Sequence, residues 1–577
     1  MLRHTIRDAF RLIRPTQRTK GGLILSLLMI QSLLDFLGLL SFLPLFGLII
    51  NPDLQDRIGN YGNVFPALSQ QTLLIALTLA VLLFVLIKNW LGLLIAKTKA
   101  KFIYNVAKDL SARAIEAYTR RNYNSFSKTD FSREVNIIAN YPFVFATNII
   151  TPIATLISET LVATLILIGL IILDFRIPIL LLLLAAPLFL LYRSRKKKLA
   201  AVRDTLKEQY PLLLKNSLQL IEGLMEIKSS AKEHYFIDKQ SGPSAKLSEA
   251  YVRDHVTQTG TTRITEIVAT FIICGLILYT TLATTHYQDT IFMLSIYASA
   301  SFRIIPSINR ILLSILQFRT HDHVIAILGE ATKADDTIKS SPAESVPLFN
   351  RQIRLQNISA RYAGGPWILR NANITLNKGD RIALTGKSGE GKSTLLLVLL
   401  GLLETEEGEF FIDDVAVGAS SLRDLIAYVP QNPYILDASL IENIALGIPE
   451  QQIDRLKITK IIHELRLNDL VALLPEGMDQ GIGERGVKLS GGQQQRLAIA
   501  RALYCDKEIL LFDESMNQIH ESLEKEILDL VSGLSLKGKT VLMITHKTHN
   551  ASFFDTVYTL DKGSFTKVND TVTFSDR

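Results

Sequence analysis

The most chemically informative stretch of the sequence is residues 386–394, where three glycines alternate with lysine, glutamate and hydroxyl residues in the pattern G-x-x-x-x-G-K-S. Glycine turns the backbone without steric cost, so the N–H groups of this loop can converge on β- and γ-phosphates. The following helix adds its positive N-terminal end. Lys392 would neutralise phosphate charge and Ser393 would ligate Mg²⁺. The residues predicted to hold a nucleotide here are Gly386, Ser388, Gly389, Glu390, Gly391, Lys392, Ser393 and Thr394.

Two apolar strands end in side chains suited to phosphate chemistry. The run 509–514 ends in the carboxylates Asp513 and Glu514. This context predicts Mg²⁺ coordination by Asp513 and activation of water by Glu514, since adjacent residues of a strand point in opposite directions. The run 540–545 ends in His546, whose imidazole is a candidate contact for the γ-phosphate.

A second glycine-rich turn precedes a helical pattern at residues 489–496. Serine and glycine before a helix form another anion site, and a second phosphate-binding edge requires a second nucleotide. The predicted nucleotide contacts in this turn are Leu489, Ser490, Gly491, Gly492 and Gln493. Two further side chains complete the hypothesis. The ring of Tyr362 could stack on adenine, and the amide of Gln431 follows an apolar strand and could reach Mg²⁺ or water.

Composition divides the 577-residue chain into an apolar part and a polar part. Hydrophobic residues make up 48% of the chain and are concentrated in the first 320 positions, which indicates a membrane portion. The net charge of +7 arises beside hydrophobic spans, so it favours membrane orientation over nucleic-acid binding. The two cysteines, Cys274 and Cys505, provide neither a disulfide framework nor a spaced metal site.

Hydropathy predicts six membrane spans and four sequence regions. The spans are expected at 21–50, 71–96, 147–173, 177–192, 264–285 and 290–316. Residues 1–20 carry arginines around apolar residues and are expected to form an amphipathic helix on the cytoplasmic membrane surface. The six spans make residues 21–320 a membrane domain, 321–349 reads as a polar linker, and 350–577 reads as a soluble domain.

The basic loops between spans set the expected orientation. Residues 97–142 and 193–263 are long and basic, so they and both termini are predicted to be cytoplasmic. Their helical periodicity suggests spans that extend into the cytoplasm and reverse there. Short turns at 122–130 and 220–236 are candidate contacts with the soluble domain, with solvated helix surface as the alternative.

Ionisable residues within spans are costly and usually face a partner or a water-filled path. They are Asp35, Lys88, Glu159, Arg303 and Arg310. Arg303 and Arg310 lie two helical turns apart on nearly one face, with Pro306 between them. Either they bind an anionic substrate group together with Lys88, or they pair with Asp35 and Glu159 and hold helices together.

The phosphate loop, the Leu-Ser-Gly-Gly-Gln run, Asp513-Glu514 and His546 occur in this order behind the predicted spans, and together they resemble an ABC exporter. This resemblance implies a six-span α-helical membrane domain fused to one α/β P-loop NTPase cassette, with ATP and Mg²⁺ as cofactors. It implies adenine stacking by Tyr362, sensing by Gln431, general-base catalysis by Glu514 and a switch role for His546. It also assigns the two coupling helices to 122–130 and 220–236.

In this family the Ser490 segment of one cassette closes on ATP held by Lys392 of another, so the resemblance implies a dimer. The chain departs from the family after Glu514, where Ser515-Met516-Asn517-Gln518-Ile519-His520 replaces the usual Ala-Thr-Ser-Ala-Leu-Asp. We expect a homodimer, with a degenerate half of a heterodimer as the alternative.

Residues 42–54 and 222–228 are similar to segments of lipid-linked oligosaccharide flippases within this family. That likeness implies ATP-driven flipping of an anionic lipid-linked substrate in a bacterial inner membrane, which would agree with Arg303 and Arg310. Export of a peptide or hydrophobic drug is the alternative; with no cysteine-protease domain ahead of the first span, we expect no peptide processing. A membrane-tethered regulatory ATPase would carry the same motifs.

Overall fold

The structure, a computed structural model, describes residues 2–50, 70–121, 130–173, 176–283, 287–333, 347–362, 364–387, 389–483, 489–516, 519–545 and 553–568. Residues 2–4, 50, 70, 173, 176–198, 276, 279–283, 287–293 and 522 are described by their backbone alone. The chain divides into two compact units, a helical unit within residues 2–333 and an α/β unit within residues 347–568.

Long helices build the helical unit. In chain order they are α1 (Leu2–Leu12), α2 (Pro15–Leu40), α3 (Leu43–Ile50), α4 (Gln70–Thr119), α5 (Phe131–Ile172), α6 (Arg176–Glu222), α7 (Leu224–Ser229), α8 (Glu233–Ala283), α9 (Tyr287–His321) and α10 (His323–Ala331). Two π-helical turns, Asn136–Asn140 and Ala146–Ile150, lie within α5.

Three of the predicted spans correspond to apolar helices of sufficient length, and a fourth corresponds to a bent helix pair. The segments Pro15–Ile49, Gln71–Thr119 and Phe131–Ile172 are long and apolar enough to cross a membrane. The pair Leu294–His321 and His323–Ala331, bent by 48°, meets the same criterion when it is taken as one span. These match the predicted first, second, third and sixth spans. The predicted fourth span and the last part of the fifth lie among residues whose side chains are outside the described part of the chain.

The helices extend well beyond the length needed for a span. Helix α4 has 50 residues and α8 has 51. At 1.5 Å per residue each is about 75 Å long, more than twice the thickness of a bilayer core. The periodicity of the basic loops predicts spans that extend into the cytoplasm. The length of the continuous helices agrees with such extensions, and their cytoplasmic location stays a prediction.

The amphipathic N-terminal helix is shorter than predicted. It ends at Leu12 rather than near residue 20, and α2 begins at Pro15. Arg14 has φ −57° and ψ 145°, an extended conformation, because a residue before proline is disfavoured in a helix. Proline itself is well suited to the first position of a new helix.

The beginning of the predicted linker is a packed helix instead. Helix α10 occupies 323–331, and Val324 and Leu328 are fully buried against Leu12, Val106 and Leu110. The prediction of a linker at 321–333 was therefore wrong, because apolar residues spaced four apart form a helical stripe. The rest of the predicted linker, 334–346, lies outside the described residues.

Twelve strands and several short helices form the described part of the α/β unit. The strands are β1 (Gln352–Ala360), β2 (Leu369–Asn377), β3 (Arg381–Thr385), β4 (Glu407–Ile412), β5 (Val415–Val417), β6 (Ile426–Val429), β7 (Ala438–Ser439), β8 (Gly481–Ile482), β9 (Ile509–Asp513), β10 (Thr540–Ile544), β11 (Thr556–Asp561) and β12 (Ser564–Val568). The helices are α11 (Lys392–Leu399), α12 (Ala419–Arg423), α13 (Leu440–Ile444), α14 (Arg455–Glu464), α15 (Asn468–Leu473), α16 (Gly491–Cys505) and α17 (Glu521–Ser535), with 3₁₀ turns at Glu450–Gln452 and Gly477–Asp479.

The central sheet has the strand order β12-β11-β3-β10-β9-β6, and β11, β3, β10, β9 and β6 run parallel. Its middle strands are continuous apolar runs, as expected of a sheet covered on both faces. A second, antiparallel sheet has the order β2-β1-β4-β5. Because parallel strands end at the same edge, the loops after β3, β9 and β6 meet at the carboxyl edge of the central sheet.

Candidate nucleotide site

The phosphate loop connects β3 to α11, as the sequence predicted. Gly386, Gly389 and Gly391 have φ of +149°, +85° and +110°, values that favour glycine. A Cβ at Gly386 would lie 2.8 Å from the carbonyl oxygen of Leu560, and a Cβ at Gly391 would lie 2.7 Å from Ile368. Backbone conformation and close packing therefore both require glycine at these two positions.

Lys392 lies inside the curve of this loop. Its Nζ donates to the carbonyl oxygens of Gly386 and Lys387 at 2.7 and 2.9 Å, and the residue is only 7% exposed. Glu390 closes the loop from the other side, since its Oε2 accepts a hydrogen bond from the Lys387 N–H at 2.9 Å. Ser393, in the first turn of α11, is exposed, and Thr394 is buried. The loop thus surrounds a positive charge at the N-terminus of a helix.

The predicted catalytic side chains meet at the end of the neighbouring strands. Asp513 is the last residue of β9, and Glu514 follows it with φ +46°. The amide of Gln431, which follows β6, donates from Nε2 to Glu514 Oε2 at 3.0 Å. Glu514 has therefore left the strand, and this left-handed turn, rather than the alternation along a strand predicted from the sequence, separates the two carboxylates.

Tyr428 is a contributor that sequence reasoning missed. It lies on β6, three residues before Gln431, and its hydroxyl donates to Asp513 Oδ2 at 3.0 Å. The register of β6 against β9 places Val429 beside Phe512, so Tyr428 lies near the end of β9. The sequence does show a tyrosine near the end of this strand. Its contact with Asp513 could be predicted only once the pairing of β6 with β9 was known.

Burial is the main electrostatic influence on Asp513. It raises the pKa of this carboxyl, and the charge of Glu514 raises it further, whereas the Tyr428 hydroxyl and Lys392 lower it. Within the described residues no side-chain cation forms an ion pair with Asp513. A partly buried carboxyl group with a raised pKa is stabilised in its ionised form by a bound cation.

The donor set at this edge fits Mg²⁺. The predicted ligands Ser393, Gln431 and Asp513 offer a hydroxyl, an amide and a carboxylate, the hard oxygen donors that this ion prefers. Over the described residues there is no group of three or more His, Cys, Asp or Glu side chains that could hold a metal. One carboxylate together with nucleotide phosphates is the usual arrangement for this ion, and Asp513 can supply that carboxylate.

The predicted second phosphate edge is an N-terminal helix turn. Ser490 caps α16: its Oγ accepts from the Gln493 N–H at 3.3 Å, and its own N–H donates to Gln493 Oε1 at 2.8 Å. This reciprocal pair leaves the first-turn N–H groups of Gly491 and Gly492 without intrahelical partners. Leu489 is buried and anchors the turn.

An arginine later in α16 attaches this helix to the segment after Gln431. The Arg501 guanidinium donates to the carbonyl oxygens of Tyr434 and Asn443 and to the Asn443 side chain. Asn443 is fully buried and also accepts from the Leu436 N–H. The sequence did not indicate a role for Arg501, because an arginine within a helix is usually exposed to solvent.

Several predicted site residues cannot be placed. His546 and Ser388 lie outside the described residues, as do positions 517 and 518 in the segment that departs from the family pattern. The Tyr362 ring is partly buried against the cassette core, and its carbonyl oxygen accepts from the Gly365 N–H at 2.8 Å. Its proposed contact with adenine stays a prediction.

In the helical unit every predicted substrate cation is paired with a carboxylate. Asp35 binds Lys88 at 3.1 Å and Arg303 at 2.8 Å. Glu159, which is buried, binds Arg310 at 2.6 Å. The structure thus contains the pairings that the sequence analysis gave as the alternative to a substrate role.

The hydroxyl of Ser307 also donates to Glu159, at 2.6 Å. Arg310 differs from the other two cations, because 52% of its side chain is exposed. Pairing and substrate binding are therefore compatible at Arg310, which keeps an accessible guanidinium surface.

Only one of the two predicted coupling segments is described. Residues 122–129 lie outside the described residues. In the other segment α6 ends at Glu222, the short helix α7 (Leu224–Ser229) follows Gly223, and α8 begins at Glu233. Met225 on α7 is 82% exposed, whereas Ile227 is buried.

Comparison with known proteins agrees with this architecture. Residues 369–517 match the family model described as "ABC transporter". The chain is 34% identical over 213 residues to the ATP-dependent lipid A-core flippase of Cupriavidus pinatubonensis, a match covering 36% of each chain. It is 34% identical over 219 residues to the lactococcin-G-processing and transport ATP-binding protein of Lactococcus lactis, covering 37% of this chain and 31% of that one. These matches span about a third of the length of the curated relatives.

The whole-chain likeness comes from a solved structure. The chain superposes on a bacterial Atm1-family ABC exporter with ATP bound, with a TM-score of 0.77, 19% sequence identity, and coverage of 95% of this chain and 94% of that one. A helical membrane unit joined to a P-loop cassette defines the class of an ABC exporter. The α/β unit contains the residues that match the ABC transporter family model, and the chain as a whole shares the fold of the ABC exporter structure.

Proposed function

We propose that the chain is an ATP hydrolase that drives export or flipping of an amphipathic substrate, and that it works as a homodimer. The observation that carries this proposal is the cluster at the carboxyl edge of the central sheet, where Gln431 bonds Glu514 beside Asp513. A phosphate loop, two carboxylates and an orienting amide are the parts that phosphoryl transfer to water requires.

Each residue of this cluster has a distinct proposed role. Glu514 accepts a proton from the attacking water, and Gln431 holds its carboxylate in place and senses the nucleotide. Lys392 releases its loop carbonyls to bind phosphate oxygens. Asp513 and Ser393 would hold Mg²⁺, which neutralises charge on the phosphates when bound. His546 is proposed to contact the γ-phosphate.

The two kinds of phosphate-binding edge support the proposed homodimer. The Ser490 turn presents helix N–H groups, and the phosphate loop of a second copy would complete the site. Binding of ATP then favours the closed dimer, and hydrolysis releases it, which is a ligand-driven shift between two states. Because residues 515–520 depart from the family pattern, purified chain alone is the test. Measurable ATP turnover is expected, and turnover only after addition of a second cassette protein would contradict the homodimer.

An anionic lipid-linked compound is the proposed substrate. Lys88, Arg303 and Arg310 outnumber the two carboxylates they bind, so the cluster carries excess positive charge. A phosphate or pyrophosphate group could exchange with Asp35 or with solvent at Arg310, and guanidinium groups bind such oxygens in a bidentate manner. The name of the flippase relative supports a lipid, and the membrane proposed is a bacterial inner membrane with both termini cytoplasmic.

The substrate proposal is tested by stimulation of ATPase in proteoliposomes. The double substitution Arg303→Ala and Arg310→Ala should abolish stimulation by a lipid pyrophosphate, and Arg303→Lys with Arg310→Lys should retain part of it because charge remains. Arg263→Ala is the matched control, since this arginine is exposed and, among the described residues, pairs only with Glu266. Unchanged stimulation in the double alanine variant would contradict the lipid substrate.

Export of a peptide is the second candidate, favoured by the lactococcin-processing and transport relative. Substrate accumulation in inside-out vesicles distinguishes it. Peptide uptake that depends on ATP and is lost in Glu514→Gln would replace the lipid proposal. A regulatory ATPase is the outcome if ATP is hydrolysed but neither lipid nor peptide moves.

A further inference from the structure

The loop that joins β1 to β2 carries Tyr362, whose ring is the predicted adenine contact. These two strands are antiparallel, and Ala360 with Leu369 is the last pair of their register. The Ile368 N–H donates to the carbonyl oxygen of Ala360 at 3.0 Å, so residues 361–367 lie in a loop that is closed at its base. Because Tyr362 is the second residue of this loop, contacts that fix the base also fix the backbone from which its ring projects.

Arg361 makes two kinds of contact at the base of the loop. Its Nε and Nη2 donate to the two carboxylate oxygens of Glu406 at 2.7 and 2.9 Å. Its guanidinium carbon also lies 4.5 Å from the centre of the Trp367 ring, within the distance of a cation–π contact. Arg361 therefore joins the first and last residues of the loop.

The geometry of these contacts indicates what they do. The side chains of Arg361 and Glu406 are both partly exposed, and an exposed ion pair usually contributes little to stability. A bidentate pair nevertheless holds a guanidinium group in one orientation, and an aromatic ring beside it restricts that orientation further. The contacts are thus better suited to orient the loop than to stabilise the domain.

The middle of the loop has little restraint of its own. Residues 363–366 are Ala-Gly-Gly-Pro, and Gly364 has φ +73°. The Gly365 N–H donates to the carbonyl oxygen of Tyr362 at 2.8 Å, which makes a tight turn directly after the tyrosine. Since glycine permits many backbone conformations, the restraint on this loop comes from the residues at its base.

The base of the loop also contacts both sides of the phosphate-loop helix. Glu406 follows α11, which begins at Lys392, and the Glu406 N–H donates to the carbonyl oxygen of Ser359 at 3.0 Å. At the other end of α11, a Cβ at Gly391 would lie only 2.7 Å from Cγ2 of Ile368. These contacts hold the aromatic loop in place relative to the phosphate loop, as binding of one nucleotide by both loops requires.

We propose that Arg361 is a positioning residue for the nucleobase: bound to Glu406 and Trp367, it holds the loop in the conformation in which the Tyr362 ring stacks on adenine. Arg361 does not itself contact the nucleotide. This inference rests on the proposed function, because it requires ATP to bind at the phosphate loop with its base at Tyr362.

The test compares a ligand that has a base with one that lacks it. Purified full-length chain is titrated calorimetrically with the ATP analogue AMP-PNP, which is not hydrolysed, and with inorganic triphosphate, both with Mg²⁺. Tyr362→Ala should weaken AMP-PNP binding about tenfold, since stacking of a base on an aromatic ring contributes to binding. Arg361→Ala should weaken it about fivefold, through loss of one exposed ion pair and one cation–π contact. Neither variant should change the affinity for triphosphate, because the phosphate loop is intact.

Three further variants show whether Arg361 acts through Tyr362. Arg361→Lys should restore part of the affinity, because it keeps the charge but not the bidentate geometry. The double variant Arg361→Ala with Tyr362→Ala should bind AMP-PNP no more weakly than Tyr362→Ala alone. Arg455→Ala is the matched control, since Arg455 forms a bidentate pair with Asp479 at 2.7 and 3.0 Å, is similarly exposed, and lies on α14. It should leave both affinities unchanged.

Glu406→Gln distinguishes positioning from direct attraction of ATP by the Arg361 charge. If Arg361 attracted the phosphates, removal of a nearby negative charge would strengthen nucleotide binding. Positioning predicts the opposite, a loss of about twofold to threefold, because the charged bidentate pair becomes a weaker neutral one. Tighter binding of AMP-PNP by Glu406→Gln would therefore overturn the proposal.

The remaining outcomes separate this inference from the proposed function. Unchanged AMP-PNP affinity in Arg361→Ala, with a loss in Tyr362→Ala, would overturn the role of Arg361 and leave the ATPase proposal intact. Equal weakening of AMP-PNP and triphosphate in Arg361→Ala would show that this arginine supports the domain as a whole, which also overturns positioning. Failure of the original chain to bind AMP-PNP would contradict the proposed function and this inference together.

Discussion

The carboxylates of the helical unit, Asp35 and Glu159, and those of the cassette, Asp513 and Glu514, have different binding partners. In the helical unit Asp35 and Glu159 are each neutralised by cations at 2.6–3.1 Å. In the cassette Asp513 accepts a hydrogen bond from a tyrosine, and the Lys392 ammonium is bound by loop carbonyl groups. A charged side chain inside a membrane needs an oppositely charged partner, because no water solvates it there. In a site that binds a charged ligand, the side chains that contact the ligand are not paired with one another.

The difference has consequences for what each pair can do. Neutralising the membrane carboxylates stabilises helix packing and leaves Arg310 as the accessible charge. Burial raises the pKa of Asp513, the charge of Glu514 raises it further, and a bound cation would oppose both effects. The two regions should therefore respond differently to loss of a carboxylate.

The largest effect on activity is expected for Glu514, the proposed general base for the attacking water. Glu514→Gln should lower ATP turnover about 10³-fold, since a positioned general base contributes 10²–10⁴-fold, while ATP binding persists. Steady-state phosphate release and ATP binding by filtration measure the two quantities. Glu521→Gln, an exposed change at the start of α17, is the control. Equal turnover in the two variants would mean that Glu514 is structural.

The phosphate loop should be the most sensitive backbone element. Gly386→Ala should destabilise the nucleotide-free cassette by about 3 kcal/mol, because its Cβ would lie 2.8 Å from the Leu560 carbonyl oxygen at a φ of +149°. Gly389→Ala should cost about 1 kcal/mol, since only its positive φ is unfavourable and no atom lies within 4 Å. Denaturant unfolding compares the two, and equal losses would show that packing at Gly386 has no effect.

In the helical unit, Asp35→Asn should lower stability by about 2 kcal/mol, because Lys88 and Arg303 would lose their shared counterion. The matched control is Glu266→Gln, which removes the partner of an exposed arginine and should have almost no effect. Thermal unfolding in detergent measures both. A stable Asp35→Asn variant would remove the contrast with the cassette, where loss of a carboxylate is not expected to destabilise.

The smallest effect concerns pH. Since burial raises the pKa of Asp513 in the folded protein, the folded state binds its proton more tightly than the unfolded state does. Without metal and nucleotide, the stability contribution of this group is present at low pH and is lost as pH rises through the folded-state pKa. Asp513→Asn should therefore gain stability relative to the original chain as pH rises. A constant difference across that range would contradict a raised pKa.

Local patterns predicted most of the backbone elements that form the candidate nucleotide site. The glycines of the phosphate loop, the apolar strand before Asp513 and the serine cap of α16 each follow from the preferences of neighbouring residues, and the structure contains all three. The same local reasoning failed at 321–333, where a short apolar stripe within a polar segment was read as linker. It also placed the end of the N-terminal helix too late, although Pro15 marked it.

By itself the sequence determined the phosphate loop, the ends of the strands that follow it and the apolar helices ahead of it, because these depend on residues close together in the chain. Only the tertiary structure decided that Tyr428 meets Asp513, that Gln431 meets Glu514, and that Asp35 takes both Lys88 and Arg303, residues 53 and 268 positions away from it. Such contacts depend on strand register and helix packing, in which many weak interactions far apart in sequence are satisfied together.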